Sequence, residues 1–373
     1  MYNKFFFCIS YFFLIISFMF EKVYVIQDLV KYFEIIGFLF CLAYILLTFK
    51  CEKRKFILIV CIYLIVLFSA LISSDKTIFK LFFLLTALRN VKFEEVVKID
   101  FWLRLFAFII IIILYNLGFT ENIITYRENM VRNSYGFGHS NMFAYMILLL
   151  NMELVYLQKN NLSIFNLFVA IFSIFLIEFL TNSRTCLLIM ILMYIGILFI
   201  NTKNFKKIIE KKSIQLFLKN IFIICTILSA LLMFLYYKGN TIGINANILL
   251  SDRLRYILLF MTDYPISLLG NNITFVSTTA SKIYNTHSLV LDNAFFFLII
   301  RYGLIIYFVF AILMNKSIKK IIKEKDYMLL LVFCLLIIYG LSENYLIKIN
   351  YNVFLLYFSY IIFKKRNDKN EAN

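Results

Sequence analysis

The chain is poor in the residues that most soluble enzymes work with: one proline, one tryptophan, two histidines, and charged side chains at only 16% of positions. The two histidines, His139 and His287, are far apart, so a histidine-based metal centre is not expected. Seven cysteines form no C-x-x-C pair. Cys8, Cys41, Cys61, Cys186, Cys225 and Cys334 sit inside apolar runs as small hydrophobes do, which predicts neither a disulfide framework nor a thiolate metal site. No G-x-x-x-x-G-K-[ST] segment is present, so the chain has no phosphate-cradling loop of that kind for nucleotide hydrolysis. No cofactor is expected.

What is abundant is apolar surface, at 63% of residues. That share exceeds the roughly 45–50% of a soluble domain, and it arrives in runs such as Phe56 to Ser73 and Leu289 to Met314. Such runs match the ~20 residues of a bilayer-spanning helix, and lipid offers an unpaired backbone no partner. Breaking the runs at charged or Asn/Gly-rich points predicts about twelve spans. They fall near 5–20, 32–49, 56–73, 77–89, 101–119, 140–157, 162–180, 185–201, 219–237, 290–314, 327–342 and 349–363. The fourth is short enough for a re-entrant reading, and the first lacks a small-residue cleavage site after Phe20, so it is read as a retained helix. The expected fold is an all-α polytopic membrane bundle, with residues 1–373 as one transmembrane domain.

The net charge of +17 is an orientation signal in such a chain, since the basic residues gather in alternate short loops. Lys50 to Lys55, Arg89 to Lys98, Lys203 to Lys219, Lys316 to Lys325 and Lys364 to Lys369 share one side if the spans alternate. The positive-inside rule makes that side cytoplasmic, with both termini inside, 364–373 as a cytoplasmic tail, and membrane lipids rather than nucleic acid facing the lysines. Residues 120–139 and 238–289 then become outer loops.

The larger outer loop carries Leu254, Ile257, Leu258 and Met261 at helical spacing after Ser251 and Asp252, predicting an amphipathic helix capped by those residues. Arg253 and Arg255, two positions apart, project to nearly opposite sides of it. Arg253 is the preferred ligand contact, with lipid snorkelling the alternative for both. Pro265 and Gly270 break the helix before a polar stretch ending at His287, itself either a loop histidine or a catalytic one. Asp292 reads as a helix cap or a general base beside Asn293. In the smaller loop, Arg132 precedes Gly136, Gly138, His139, Ser140 and Asn141 at a helix start, an arrangement that suits an anion or simply an ordinary cap. Arg184 marks the tight turn between spans seven and eight. Arg301 lies near mid-span, where an unpaired charge costs several kcal/mol, so Glu178 or Glu343 is expected as its partner unless it contacts substrate.

Together these segments resemble the O-antigen and capsular polysaccharide polymerase family, the Wzy type, related to the O-antigen ligases. Arg132 to Asn141 resembles that family's helix entry, with Ser140 where proline is usual. Asn182-Ser183-Arg184-Thr185 resembles its Ser-Arg turn, Ser251-Asp252-Arg253 its loop arginine, and Asp292-Asn293 with Gly303 its Asp-Asn span entry. The likeness runs over roughly residues 130–355; the first hundred agree only in hydropathy.

The resemblance implies a GT-C-like, metal-independent glycosyltransferase in the bacterial plasma membrane. It would join undecaprenyl-pyrophosphate-linked repeat units at the outer face, alongside a flippase and a chain-length regulator. Its implied catalytic residues are Arg253, Asp292 and His287, and its implied substrate-binding residues are Arg132, His139, Asn141, Arg184, Arg255, Asn293 and Arg301. A ligase of the same superfamily, or a lipid-linked-sugar flippase or secondary transporter, are the alternatives. Against a transporter stand the lack of similarity between the two halves and the few Gly/Pro-broken spans.

Overall fold

In a computed structural model, residues 2–21, 27–48, 53–127, 130–159, 164–276 and 289–363 are described. His287 and the tail 364–373 lie outside the described residues. Helices dominate, and the only strands among the described residues are a short antiparallel hairpin, β1 (Thr125–Arg127) and β2 (Met130–Arg132), inside the smaller loop. An all-α architecture is therefore what the chain has, with this hairpin as a local addition.

The N-terminal third contains α1 (Tyr2–Phe20), α2 (Gln27–Thr48), α3 (Lys53–Ser73), α4 (Thr77–Ala87) and α5 (Phe93–Asn116). Helices α1 and α2 pack as an antiparallel pair, and α1 also lies on α5. α4 has eleven residues, about 16 Å at 1.5 Å per residue, too short to cross a bilayer alone. The middle of the chain forms α6 (Ser140–Gln158), α7 (Ile164–Leu176) with a π-turn at Ile177–Thr181, and α8 (Arg184–Ile200). Next come α9 (Lys203–Ile209), α10 (Lys212–Lys219), α11 (Ile221–Tyr237), α12 (Thr241–Leu249) and α13 (Arg253–Asp263). The last third holds α14 (Ala294–Phe297), a π-turn at Leu298–Tyr302, α15 (Gly303–Glu324) and α16 (Tyr327–Tyr339). Two 3-10 turns, Asn344–Ile347 and Val353–Tyr357, and α17 (Phe358–Ile362) close it.

Three of these stretches are long and apolar enough to cross a membrane as they stand: Asp28–Thr48, Ser140–Gln158 and Ala294–Glu324. Lys212–Lys219 and Ile221–Tyr237 make a fourth if their 63° bend lies within one span. Seven further apolar helices are shorter. α6 is the axis of the bundle: 78% of its apolar window is buried, against 22% for α2, which keeps most of its surface outward. α5, α7, α8 and α16 pack around α6, which allows it to carry the buried polar side chains Asn151 and Glu153.

Besides the π-turn that ends the seventh, the tenth and twelfth expected spans differ from a plain helix. The tenth is interrupted by the π-turn and by Gly303 at φ +88°, where the segment 267–271 docks. Leu304 and Ile305 donate to the carbonyls of Ser267 and Leu268, and Asn271 donates to that of Arg301, so the loop replaces the ladder the break removes. A Cβ on Gly303 would stand 2.4 Å from Gly270 N and Leu268 O, which is why two glycines meet here. The twelfth, expected over 349–363, runs largely as 3-10 and irregular backbone. Asn352 accepts from Phe354 N and donates to Leu346 O, while Arg104 and Tyr145 donate to the carbonyls of Asn350 and Tyr351. Buried irregular backbone is tolerated where side chains supply its missing bonds.

Candidate functional site

α13 forms where the apolar periodicity places it, but its caps are different. Asp252 sits at φ +63° without capping the helix and instead accepts from Asn247 Nδ2 at 2.8 Å. Asn247 Oδ1 receives the first-turn N–H of Arg255 at 3.0 Å. The buried face consists of Arg253, Leu254, Ile257 and Phe260, which turns the helix onto α11 and carries Arg253 inward while Arg255 stays exposed. The two arginines therefore do separate as their spacing demands.

Arg253 Nη2 meets Glu343 Oε1 at 2.6 Å and stands 3.9 Å from Asp292 Oδ2. Its Nε donates to the Ser342 carbonyl and its Nη1 to that of Leu250 at 2.9 Å. Glu343 Oε1 also accepts from Asn141 Nδ2 at 3.1 Å, and Asn141 Oδ1 accepts from Arg132 Nη2. Arg132 Nε donates to the Thr181 carbonyl. A continuous polar chain thus runs Arg132–Asn141–Glu343–Arg253–Asp292, drawn from β2, α6, the segment after α16, α13 and the entry to α14. His139 is the cap of α6, its Nδ1 accepting from Asn141 N at 3.0 Å, and so fixes the residue that touches Glu343.

Beside this chain opens a cleft of about 330 Å³ lined by Asp75, Asp292, Arg301, Glu343 and Lys348 over an aromatic wall of Phe275, Phe297 and Tyr345. Arg301 pairs with Asp75 at 3.0 Å and stacks over Phe275 and Phe297, with 4.8 and 5.8 Å to the ring centroids. Its partner is thus neither Glu178 nor Glu343, the two carboxylates expected from sequence. The loop between α3 and α4 presents a nearer one. Lys348 reaches to 5.4 Å over Phe297.

Burial pushes the Glu343 carboxyl up to about 7, against the pull of Arg253. Burial also opposes charge on Asp75, yet hydrogen bonds from Thr77, one of 2.8 Å from its backbone N–H, and the Arg301 guanidinium outweigh it and hold that carboxyl below the usual range. Lys348 is lowered by burial, with Asp292 the leading carboxylate working the other way. Among the described residues no group of His, Cys, Asp and Glu is placed to hold a metal ion.

Not all expected site residues gather here. Asn293 is nearly fully buried and caps α14, accepting from Phe295 N and Phe296 N while its amide donates to Ser229 and to the Leu341 carbonyl. The cap role open to Asp292 thus falls to its neighbour, and Asp292 is left half-exposed in the cleft. Arg184 is exposed and lines a different hollow, of about 680 Å³, with Met130, Glu178, Asn182 and Leu187. Asp75 and Lys348 were not singled out from sequence, and Glu343 was noted only as a partner for Arg301. No protein-family model, curated protein or solved structure matches the chain.

Proposed function

We propose that the chain is a polysaccharide polymerase of the bacterial plasma membrane, a twelve-span GT-C-like bundle with both termini cytoplasmic and the cleft at the outer face. The observation carrying this reading is convergence. Five segments far apart in the chain, around residues 75, 132–141, 253, 292 and 343–348, meet in one polar chain and one cleft. A cleft with carboxylates, fixed cations and an aromatic wall suits a sugar acceptor beside a phosphate-bearing donor.

In this reading Asp292 takes the proton from the acceptor hydroxyl as its oxygen bonds to the donor's anomeric carbon. The bond from that carbon to the pyrophosphate breaks, and undecaprenyl pyrophosphate leaves with the electron pair. Arg253, Arg301 and Lys348 stabilise the departing charge in a partly dry site. Arg132, Asn141 and His139 position Glu343 and through it Arg253. Arg184 and Arg255 serve the membrane surface rather than the reacting atoms.

One observation favours a second reading. A helix broken at 298–303 beside ionisable groups is how transporters build their sites. Deleting the gene and analysing envelope glycans together with extracted undecaprenyl-linked sugars separates the readings. Single repeats accumulating on the outer leaflet support the polymerase. Long polymer left unattached on the carrier means a ligase, and repeats trapped on the inner leaflet mean a flippase.

A further inference from the structure

Away from the cleft, the bundle interior holds a second ionic group. Arg104 on α5 is fully buried, with its Nε 2.5 Å from Asp100 Oδ2 and 3.8 Å from Glu153 Oε1 on α6. Its Nη1 donates to the Asn350 carbonyl at 2.9 Å and approaches the Met19 sulfur, while Asp100 Oδ1 accepts from Tyr11 on α1 at 2.7 Å. Tyr145, on the same helix as Glu153, donates its hydroxyl to the Tyr351 carbonyl at 2.7 Å, next to the Asn350 carbonyl that Arg104 binds. Asp100 is seven residues from the start of α5 and Glu153 five from the end of α6, so both lie roughly 8–10 Å along their helices from the end where Glu94 meets Lys159.

The charges do not balance. Arg104 has a role, since it bonds a carbonyl of the irregular segment 349–352, and Asp100 neutralises it. Glu153 is then a third charge with no cation of its own. It is fully buried, and neither of its carboxyl oxygens has a hydrogen-bond partner. An ionised carboxylate in that position is expensive, and two carboxylates sharing one guanidinium resolve the excess by keeping a proton between them.

We propose that Glu153, beside the Asp100–Arg104 pair, is a proton-binding site inside the bundle, which holds its proton at neutral and alkaline pH. The proton comes from water and forms an O–H bond on the Glu153 carboxyl, taking the group of Asp100, Glu153 and Arg104 from net −1 to zero. The nearby guanidinium selects against a metal cation in the same place. This site is independent of the polymerase reading, and its test does not use glycan synthesis.

The experiment is infrared spectroscopy of the full chain in liposomes at pH 9, above the range where Glu343 titrates. A protonated-carboxyl C=O band is expected in the wild type, shifted in D2O and absent from Glu153→Gln. No such band, or a band that survives in Glu153→Gln, overturns the proposal. Thermal unfolding in detergent between pH 6 and pH 9 gives a second measurement. Glu153→Gln should gain stability relative to the wild type as pH rises from 6 to 9, because the folded wild type keeps a proton that its unfolded chain has released, and curves that stay parallel overturn the proposal. A variant equally weakened at every pH would mean that Glu153 is an ionised partner of Arg104, and stabilisation of the wild type by sodium at constant ionic strength would mean a cation site. If Glu153→Gln does not fold, the wild-type band and its D2O shift decide alone.

Discussion

Arg253 and Glu343, ninety residues apart in the chain, form a buried 2.6 Å ion pair that ties the start of α13 to the segment after α16. Leaving one partner of a buried pair alone costs about 3–5 kcal/mol, whereas replacing both by apolar residues of similar volume is often neutral. Arg253→Ala should therefore destabilise the protein and abolish glycan chain growth, and Glu343→Ala should destabilise it similarly. The double variant Arg253→Met/Glu343→Leu should regain most of the lost stability and none of the activity. Thermal unfolding in detergent beside a chain-length gel checks this; full activity in Arg253→Ala would sink the catalytic assignment.

The pH dependence of stability has a definite sign. Burial outweighs Arg253 and pushes the Glu343 carboxyl up to about 7 in the folded chain, above the ordinary glutamate range. Between the two the folded state holds a proton the unfolded state has released. Its contribution is fully present below about 4.5 and is lost as pH rises through about 7. The melting temperature of the wild type should fall between pH 5 and pH 8 relative to Glu343→Gln. Parallel curves for the two proteins would show that Glu343 does not titrate there.

The helical class was legible in the sequence because long apolar runs obey simple periodic rules, and part of the polar chain, Arg132, Asn141, Arg253 and Asp292, stood out as polar residues at helix starts and in charged loops. That Arg253 and Arg255 lie on nearly opposite sides of α13 followed from helical spacing, and the packing of α13 on α11 decides that Arg253 is the one turned inward. What stayed hidden depends on contacts between distant segments. Asp75 reaches Arg301 across 226 positions, and nothing local marks it. Arg104 and Glu153 were each absorbed into an apolar run, where a single charge scarcely lowers the hydropathy, and Asp100 fell just before the run that begins at Phe101. Ser251 and Asp252 look like helix caps because residue type suggests it, but Asn247 takes that role through the tight turn at φ +52° and +63°.

The break in the long helix should be intolerant of a side chain. Gly303 at φ +88° faces Gly270 N and Leu268 O, 2.4 Å from where a Cβ would sit. Gly303→Ala combines an extended positive-φ backbone (φ +88°, ψ 169°) that essentially only glycine adopts, worth about 1–3 kcal/mol, with a backbone clash, so the loop 267–271 must move and take the Arg301 wall with it. Stability and activity should fall together. Gly239→Ala, at φ +68° with nothing within 4 Å, should show the backbone strain alone. Equal effects from both would mean that the loop docking carries no energy.

Asp292 and Asp75 occupy the same cleft but do different work, and isosteric amides tell them apart. Asp292 has a half-exposed carboxylate at 3.9 Å from Arg253, so Asp292→Asn removes a proton acceptor while leaving the Arg253–Glu343 pair intact. Chain growth should drop by about 10²–10⁴-fold, the usual contribution of a general base, with melting temperature nearly unchanged. Asp75→Asn instead leaves Arg301 without its 3.0 Å partner, so it should lower the melting temperature first and activity only through the displaced guanidinium. Arg301→Gln added to Asp75→Asn should then restore stability, because the second change removes the charge the first left unpaired. If Asp292→Asn keeps full chain growth, the proton goes elsewhere. If the Asp75/Arg301 double variant is as unstable as Asp75→Asn alone, the pair is not what holds α3, α4 and the broken helix together.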